Sequence, residues 1–252
     1  MIQGERPKRR LIAAVVIMIW LAAGYVFGSE PQTFESGETQ STLIELFTSE
    51  GCSSCPPAGK WLSALKPNQD LWKKIIPVAF HVDYWDRLGW RDRFAKPEFT
   101  SRQKHYAAAW GGDSVYTPGF VVNGKEWRGW FGGDVTPTSS TKVGVLRMSL
   151  DGGRLSARYA PETRQPRGLA LNVALLGNDL ESDVKRGENS GRKLRHDFVV
   201  LNLMKVDMTN ESNGWTGSIV LPMRSGDDKP SALAAWITEN DTPIQATGGW
   251  LR

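Results

Sequence analysis

Sulfur, histidine and excess charge are all scarce in this chain. Its 252 residues include two cysteines and three histidines. Two cysteines make no disulfide framework, and with no second cysteine pair and three histidines scattered at 81, 105 and 196 the sequence carries no motif of an ordinary zinc site. The net charge of +4 comes from the N-terminus, where Arg6, Lys8, Arg9 and Arg10 outweigh Glu5. Beyond residue 28 the chain holds 27 basic and 26 acidic residues, a net of +1. No stripe of Lys and Arg interleaved with aromatics is present, which speaks against a nucleic-acid partner. A nucleophilic serine elbow, a phosphate loop and paired catalytic carboxylates are also missing. Gly132-Gly133 and Gly248-Gly249 read as turns, with no helix start behind them to bind phosphate. No internal repeat is visible.

Long apolar runs are equally rare. The one that occurs, Leu11–Phe27, is broken only by Gly24 and follows the basic cluster. It is long for a signal core and slightly short for a membrane span, so a cleaved signal peptide and an uncleaved anchor both stay open. In either case the basic residues remain inside and the chain from Ser29 onward is expected to be exported, to the periplasm or beyond.

What is present is concentrated. Cys52-Ser53-Ser54-Cys55 holds both cysteines, between the strand pattern Thr42–Phe47 and the helix pattern Pro56–Leu65. A thiol at a helix start faces unpaired N–H groups and the positive end of the dipole, which favour thiolate. The second thiol, one turn on, can resolve a mixed disulfide. So short a loop constrains the unfolded chain little, so redox or metal work explains the pair better than stabilisation. Glu50 pulls the other way, as a like charge beside a thiolate.

Ser29–Ser41 is polar and unpatterned and reads as a linker. A second buried strand is expected at Ile75–Val82, a helix from Pro97 ending at Gly111-Gly112, and an Asn123-Gly124 hairpin. Seven of the eleven tryptophans lie between Trp61 and Trp130, a density that suits core packing. Past the boundary signal Thr136–Thr141 no helix pattern follows. Strands are expected at Val143–Leu150, Arg154–Tyr159, Leu169–Leu176, Phe198–Val206, Trp215–Leu221 and Leu233–Thr238, with Ile244–Ala246 as a seventh, the number of an antiparallel sandwich.

A thiol pair after a first strand, with Thr117-Pro118 and a strand–hairpin much later, looks like the thioredoxin fold. The runs Leu46–Pro57, His81-Val82-Asp83-Tyr84-Trp85-Asp86 with Leu88-Gly89-Trp90, Val115–Pro118 and Arg186-Gly187-Glu188-Asn189 with Gly191 are similar to a secreted thioredoxin-like family known as domain of unknown function 1223. Gly59-Lys60 departs from it, since the family usually has an aspartate there. The resemblance implies an α/β thioredoxin-like domain over 42–137 with an inserted helical segment (about 81–114) walling the thiols, then an all-β antiparallel sandwich over 138–252, after a signal or anchor (1–28) and a linker (29–41). It also implies a cis Pro118 beside the thiols, Thr117 next to it, and Glu45 as a buried acid relaying the proton of the resolving thiol.

The site expected is therefore Cys52, Cys55, Thr117, Pro118 and Glu45, with no cofactor and no metal. The activity expected is thiol–disulfide exchange on an exported protein or small-thiol disulfide, with a membrane contacted only through an uncleaved N-terminus. A Cu(I)-handling chaperone and a partner-binding module with an inert disulfide are the alternatives. His81, Asp83 and Asp86 are possible supports, though a histidine on an apolar strand is more often a core residue. His196 is too isolated to interpret.

Overall fold

A computed structural model of the chain describes residues 30–132, 137–162, 166–223 and 228–252, with Met1 and Gly4. The expected signal or anchor segment, those two residues apart, lies outside the described residues, as do Gly133 and Thr136. Among the described residues no helix is long and apolar enough to cross a membrane.

The first half contributes β1 (Gln32–Glu35), β2 (Thr42–Thr48), α1 (Pro56–Ser63), β3 (Ile75–His81), a 3-10 helix (Asp83–Leu88), α2 (Pro97–Ala109), β4 (Gly119–Val122) and β5 (Lys125–Glu126). The second half supplies β6 (Gly144–Asp151), β7 (Arg154–Pro161), β8 (Leu169–Gly177), β9 (Leu180–Asp183) and β10 (Lys193–His196). It continues with β11 (Val199–Asp207), β12 (Thr209–Glu211), β13 (Gly214–Val220), β14 (Ala232–Glu239) and β15 (Thr242–Trp250).

These strands correct the expected α/β thioredoxin-like fold with an inserted helical segment and a following sandwich. The chain is mainly β. Among the described residues it has two α-helices, and one eight-stranded sheet runs through both halves in the order β15-β14-β8-β11-β3-β2-β4-β5. Segment 81–114 brings one α-helix and one 3-10 helix. The joint is at β3, whose free edge takes β11 in parallel through Val199 opposite Ala79, and pairing an edge removes its open hydrogen-bonding row. Second-half strands that a sandwich would keep apart thus extend the first-half sheet. The expected linker is also partly strand: β1 pairs antiparallel with β6 over Gln32–Glu35 and joins the five-stranded sheet β1-β6-β7-β13-β12.

Alternation explains how one sheet serves two cores. Every residue of β8 and of β14 is buried. Successive side chains of a strand point to opposite faces. Ala174, Leu176, Ala232, Ala234 and Trp236 therefore join the core under α1 and α2. Val173, Leu175, Leu233, Ala235 and Ile237 join the core against the five-stranded sheet. A strand buried on both faces reads as a continuous apolar run, as Leu169–Leu176 does. Gly248, expected in a turn, lies inside β15 instead, where a Cβ would meet a Trp72 ring carbon at 2.7 Å.

Local signals fared better. Pro97 opens α2, which ends at Trp110 with Gly111 at φ +76°. Asn123 and Gly124 both have positive φ between β4 and β5, as a two-residue hairpin requires.

Candidate functional site

Strands β2 and β3 run parallel, from Thr42 opposite Ile75 to Thr48 opposite His81. Chain leaving the end of β2 forms the loop Ser49–Cys55 and enters α1. Pro56 and Pro57 fill the first two helical positions, where a missing N–H costs nothing. Cys55 is the residue before the helix, and no acidic side chain sits in the first turn.

Cys52 and Cys55 lie close together, both thiols free and both buried, at 0 % and 2 % exposure. The tip of the helix thus carries covered sulfurs rather than open ones. Cys52 Sγ is 3.3 Å from Ser54 Oγ and 3.7 Å from the Thr117 carbonyl oxygen. The Thr117–Pro118 peptide is cis. Trp85 Nε1 donates to Thr117 Oγ1 at 2.8 Å, which leaves the threonine's own hydroxyl proton for a sulfur. The 3-10 helix holding Trp85 packs down on the loop: a Cβ on Gly51 would stand 3.0 Å from Trp85 Cβ.

The two thiols are electrostatically unequal. A hydrogen bond from Cys55 brings Cys52 down to about 6; burial opposes this, and Ser54 and Thr117 assist it. Burial drives Cys55 well above the ordinary thiol value, and the adjacent Cys52 charge adds to the effect, outweighing the Thr117 and Thr48 hydroxyls. Thiolate is thus favoured at Cys52 and disfavoured at Cys55. Cys55, Thr48, His81 and His196 border a cavity of about 370 Å³ between α1 and β10.

Glu45 is not brought to the thiols. Residues 46 and 48 of β2 face the cavity, so 45 and 47 face α2. The Glu45 carboxylate is fully buried and binds Arg102 Nε at 2.6 Å, Arg102 NH2 at 3.0 Å and the Tyr106 hydroxyl at 2.6 Å. The correction is one of strand parity: Thr48, three residues later, holds the place beside Cys55.

Sequence reasoning missed the support beneath the loop. Glu50 turns inward, its Oε1 3.0 Å from His196 Nε2 and its Oε2 accepting from Trp90 Nε1 at 2.7 Å. Burial alone would raise Glu50, but these hydrogen bonds leave it below its ordinary value. Asp92, 2 % exposed, accepts from the Glu50 amide at 2.8 Å and sits 2.6 Å from His81 Nδ1. Burial opposes both charges of that pair, yet mutual attraction lowers Asp92 and raises His81. Asp86 accepts from the Asp92 amide at 3.1 Å, and Asp83 accepts from Thr100 Oγ1 at 2.5 Å. Only the Arg186–Gly191 run, part of the resemblance, hinted at a second-half contribution. Asn189, 0 % exposed, donates to the carbonyls of Glu50 and Cys52, both at 2.8 Å. Glu188 accepts from Ser53 N at 3.0 Å and Ser53 Oγ at 2.7 Å. Among the described residues, no three His, Cys, Asp or Glu side chains are grouped to hold a metal ion.

A mainly β chain whose parallel strand pair ends in a buried dithiol loop is thus defined. The chain belongs to the family described as protein of unknown function (DUF1223), whose model matches residues 43–238. It is similar in fold to the crystal structure of protein AGR_C_4864 from Agrobacterium tumefaciens, with a TM-score of 0.57, 23% identity, and coverage of 85% of this chain and 95% of that one. HBP35 of Porphyromonas gingivalis is also similar, with a TM-score of 0.55, 14% identity, and coverage of 86% and 76%. No curated protein matches the chain.

Proposed function

We propose that this chain is an exported thiol–disulfide oxidoreductase working through Cys52 and Cys55. The observation that carries the proposal is the pairing of two adjacent free thiols, one supported as thiolate by Cys55, Ser54 and Thr117, the other held protonated.

The thiolate of Cys52 attacks one sulfur of a substrate disulfide. A Cys52–substrate disulfide forms, and the other substrate sulfur leaves as thiolate and takes a proton. Cys55 then loses its proton and attacks Cys52, closing the Cys52–Cys55 disulfide and releasing the second substrate thiol. Two electrons pass from the pair to the substrate, and the reverse sequence oxidises a dithiol substrate. Export is supported by the basic residues Arg6–Arg10 ahead of the apolar run Leu11–Phe27.

The burial of both sulfurs favours a second possibility, an inert clasp in a partner-binding module. One experiment separates the two. The full chain is equilibrated in glutathione buffers of graded potential, and its free thiols are counted by alkylation and mass. A two-electron transition abolished by Cys52→Ser is expected. A pair that stays in one state across the range overturns the proposal.

A further inference from the structure

Two serine amides lie between the sulfurs, and they are put to different uses. The Ser54 backbone supports the Cys52 sulfur. The Ser53 N–H is given to Glu188, 135 residues away, whose Oε2 also takes the Ser53 hydroxyl. Next to Glu188, the buried Asn189 spends both protons of its amide nitrogen on the carbonyls of Glu50 and Cys52. Its own oxygen is held at 2.7 Å by Arg192 NH1. Gly187, at φ +76°, makes the approach to the 3-10 helix, a Cβ there standing 3.3 Å from Trp90 Cβ. One turn of the second half thus grips both sides of Cys52 in the chain.

The two grips differ. That of Asn189 is buried and shapes the loop. That of Glu188 is exposed and does not build the core. Its carboxylate is held ionised by the two Ser53 hydrogen bonds. It places a negative charge against the residue next to Cys52 and occupies both the Ser53 N–H and its hydroxyl, and a like charge nearby disfavours thiolate. The other charged or titratable groups around Cys52 are accounted for elsewhere. Cys55 lies on the helix side, and Tyr84, raised to about 12 by burial, on the 3-10 helix. Glu50 is turned away onto His196 and Trp90, and Asp92 onto His81.

We propose that the Gly187–Arg192 turn is a positioning element for Cys52, in which Asn189 fixes the loop and Glu188 restrains the sulfur's nucleophilicity by its charge and its hold on Ser53. The oxidoreductase proposal supplies the reason for such a restraint, but the contact itself can be tested without it.

Glu188→Gln keeps the side chain's length and removes the charge at an exposed position, so folding is preserved. Iodoacetamide alkylation of Cys52 is followed against pH by mass in the full chain and in the variant. Glu188→Gln is expected to move the half-maximal pH of Cys52 downward, raising its thiolate fraction about two- to fivefold on the lower limb. In glutathione buffers the same variant shifts the dithiol–disulfide equilibrium toward the dithiol by a similar factor. Glu188→Lys, which reverses the charge, should move the alkylation profile further in the same direction. Profiles of both variants that superimpose on the wild type overturn the inference. A missing redox transition in the wild type, with the alkylation profiles still shifted, removes the oxidoreductase proposal and leaves this one standing.

Discussion

The two ends of the eight-stranded sheet bury their residues by different rules. At the β8–β14 end the wall between the two cores is mainly aliphatic, broken by the buried Trp236, Asn172, Thr238 and Glu239, and alternation alone assigns Leu175 to one core and Leu176 to the other. At the β2–β3 end Glu45, Thr48, Glu50, His81 and Asp92 are all buried polar residues; Glu45 is held from α2, Glu50 by Trp90 and by His196 of β10, and His81 and Asp92 hold each other. A dry wall needs only shape and volume. A buried charge needs a particular partner, or it costs several kcal/mol. The candidate site thus lies where buried charges are most closely paired, on the parallel strand pair.

The largest effects should come from breaking that polar end. Asp92→Asn strips the charge partner from His81, and Arg102→Met leaves Glu45 buried without a countercharge, with the Tyr106 hydroxyl as its remaining partner. Each should cost roughly 3–5 kcal/mol in urea unfolding of the reduced chain. Arg102→Met should leave the pH profile of Cys52 alkylation unmoved, because Glu45 faces away from the sulfurs. A shifted profile in that variant would return Glu45 to the thiol site.

At the dry end, Leu175→Ala should cost about 2–5 kcal/mol and also leave the thiol profile alone. The contrast between the two ends fails if this variant alters Cys52 while Asp92→Asn does not.

A smaller effect follows from linkage. Cys52 is lowered in the folded chain to about 6 from the ordinary thiol value of 9.0, which stands for the unfolded chain. Its contribution to stability is complete above pH 9 and is lost as pH falls through 6. Between these limits Cys52 is protonated more in the unfolded chain, so its own contribution to the stability of the dithiol form rises with pH, by at most about 1.4 kcal/mol per unit, against the opposite contribution of His81, which is raised in the folded chain. That contribution should be lost in Cys52→Ser, so the slope becomes less positive; an unchanged slope would put the linkage elsewhere. Smallest of all, Ser54→Ala removes the hydroxyl 3.3 Å from Cys52 Sγ. It should reduce the thiolate fraction near pH 6 a few-fold, as loss of one modest hydrogen bond does; no change would assign the support to the backbone alone.

How much could be read in advance divides along the same line. The strands Thr42–Thr48, Ile75–His81, Leu169–Gly177 and Ala232–Glu239 were legible, because period and composition are local. Also legible were the proline start of α2 and the turn at Asn123-Gly124. The sheet that joins the halves was not, since an apolar run does not name the strand it will lie beside, and β11 reaching β3 is a tertiary choice. Gln32–Glu35 gave no strand signal because its register with β6 supplies the order. At the site, Cys52, Cys55 and Thr117 were placed by motif. Glu45 was assigned to the wrong face, since its position in the motif does not fix its parity relative to Cys55. His196, Glu188 and Asn189 lie more than 130 residues from the loop they hold, and no local pattern links them to it.

The unequal pair of sulfurs is the point on which the account turns, and the pH profile of alkylation in the intact reduced chain, resolved by mass for each cysteine, tests it most directly. Cys52 should react with a half-maximum near pH 6, while Cys55 stays unmodified well above pH 9. Two thiols that titrate together at the ordinary value near 9 would contradict it.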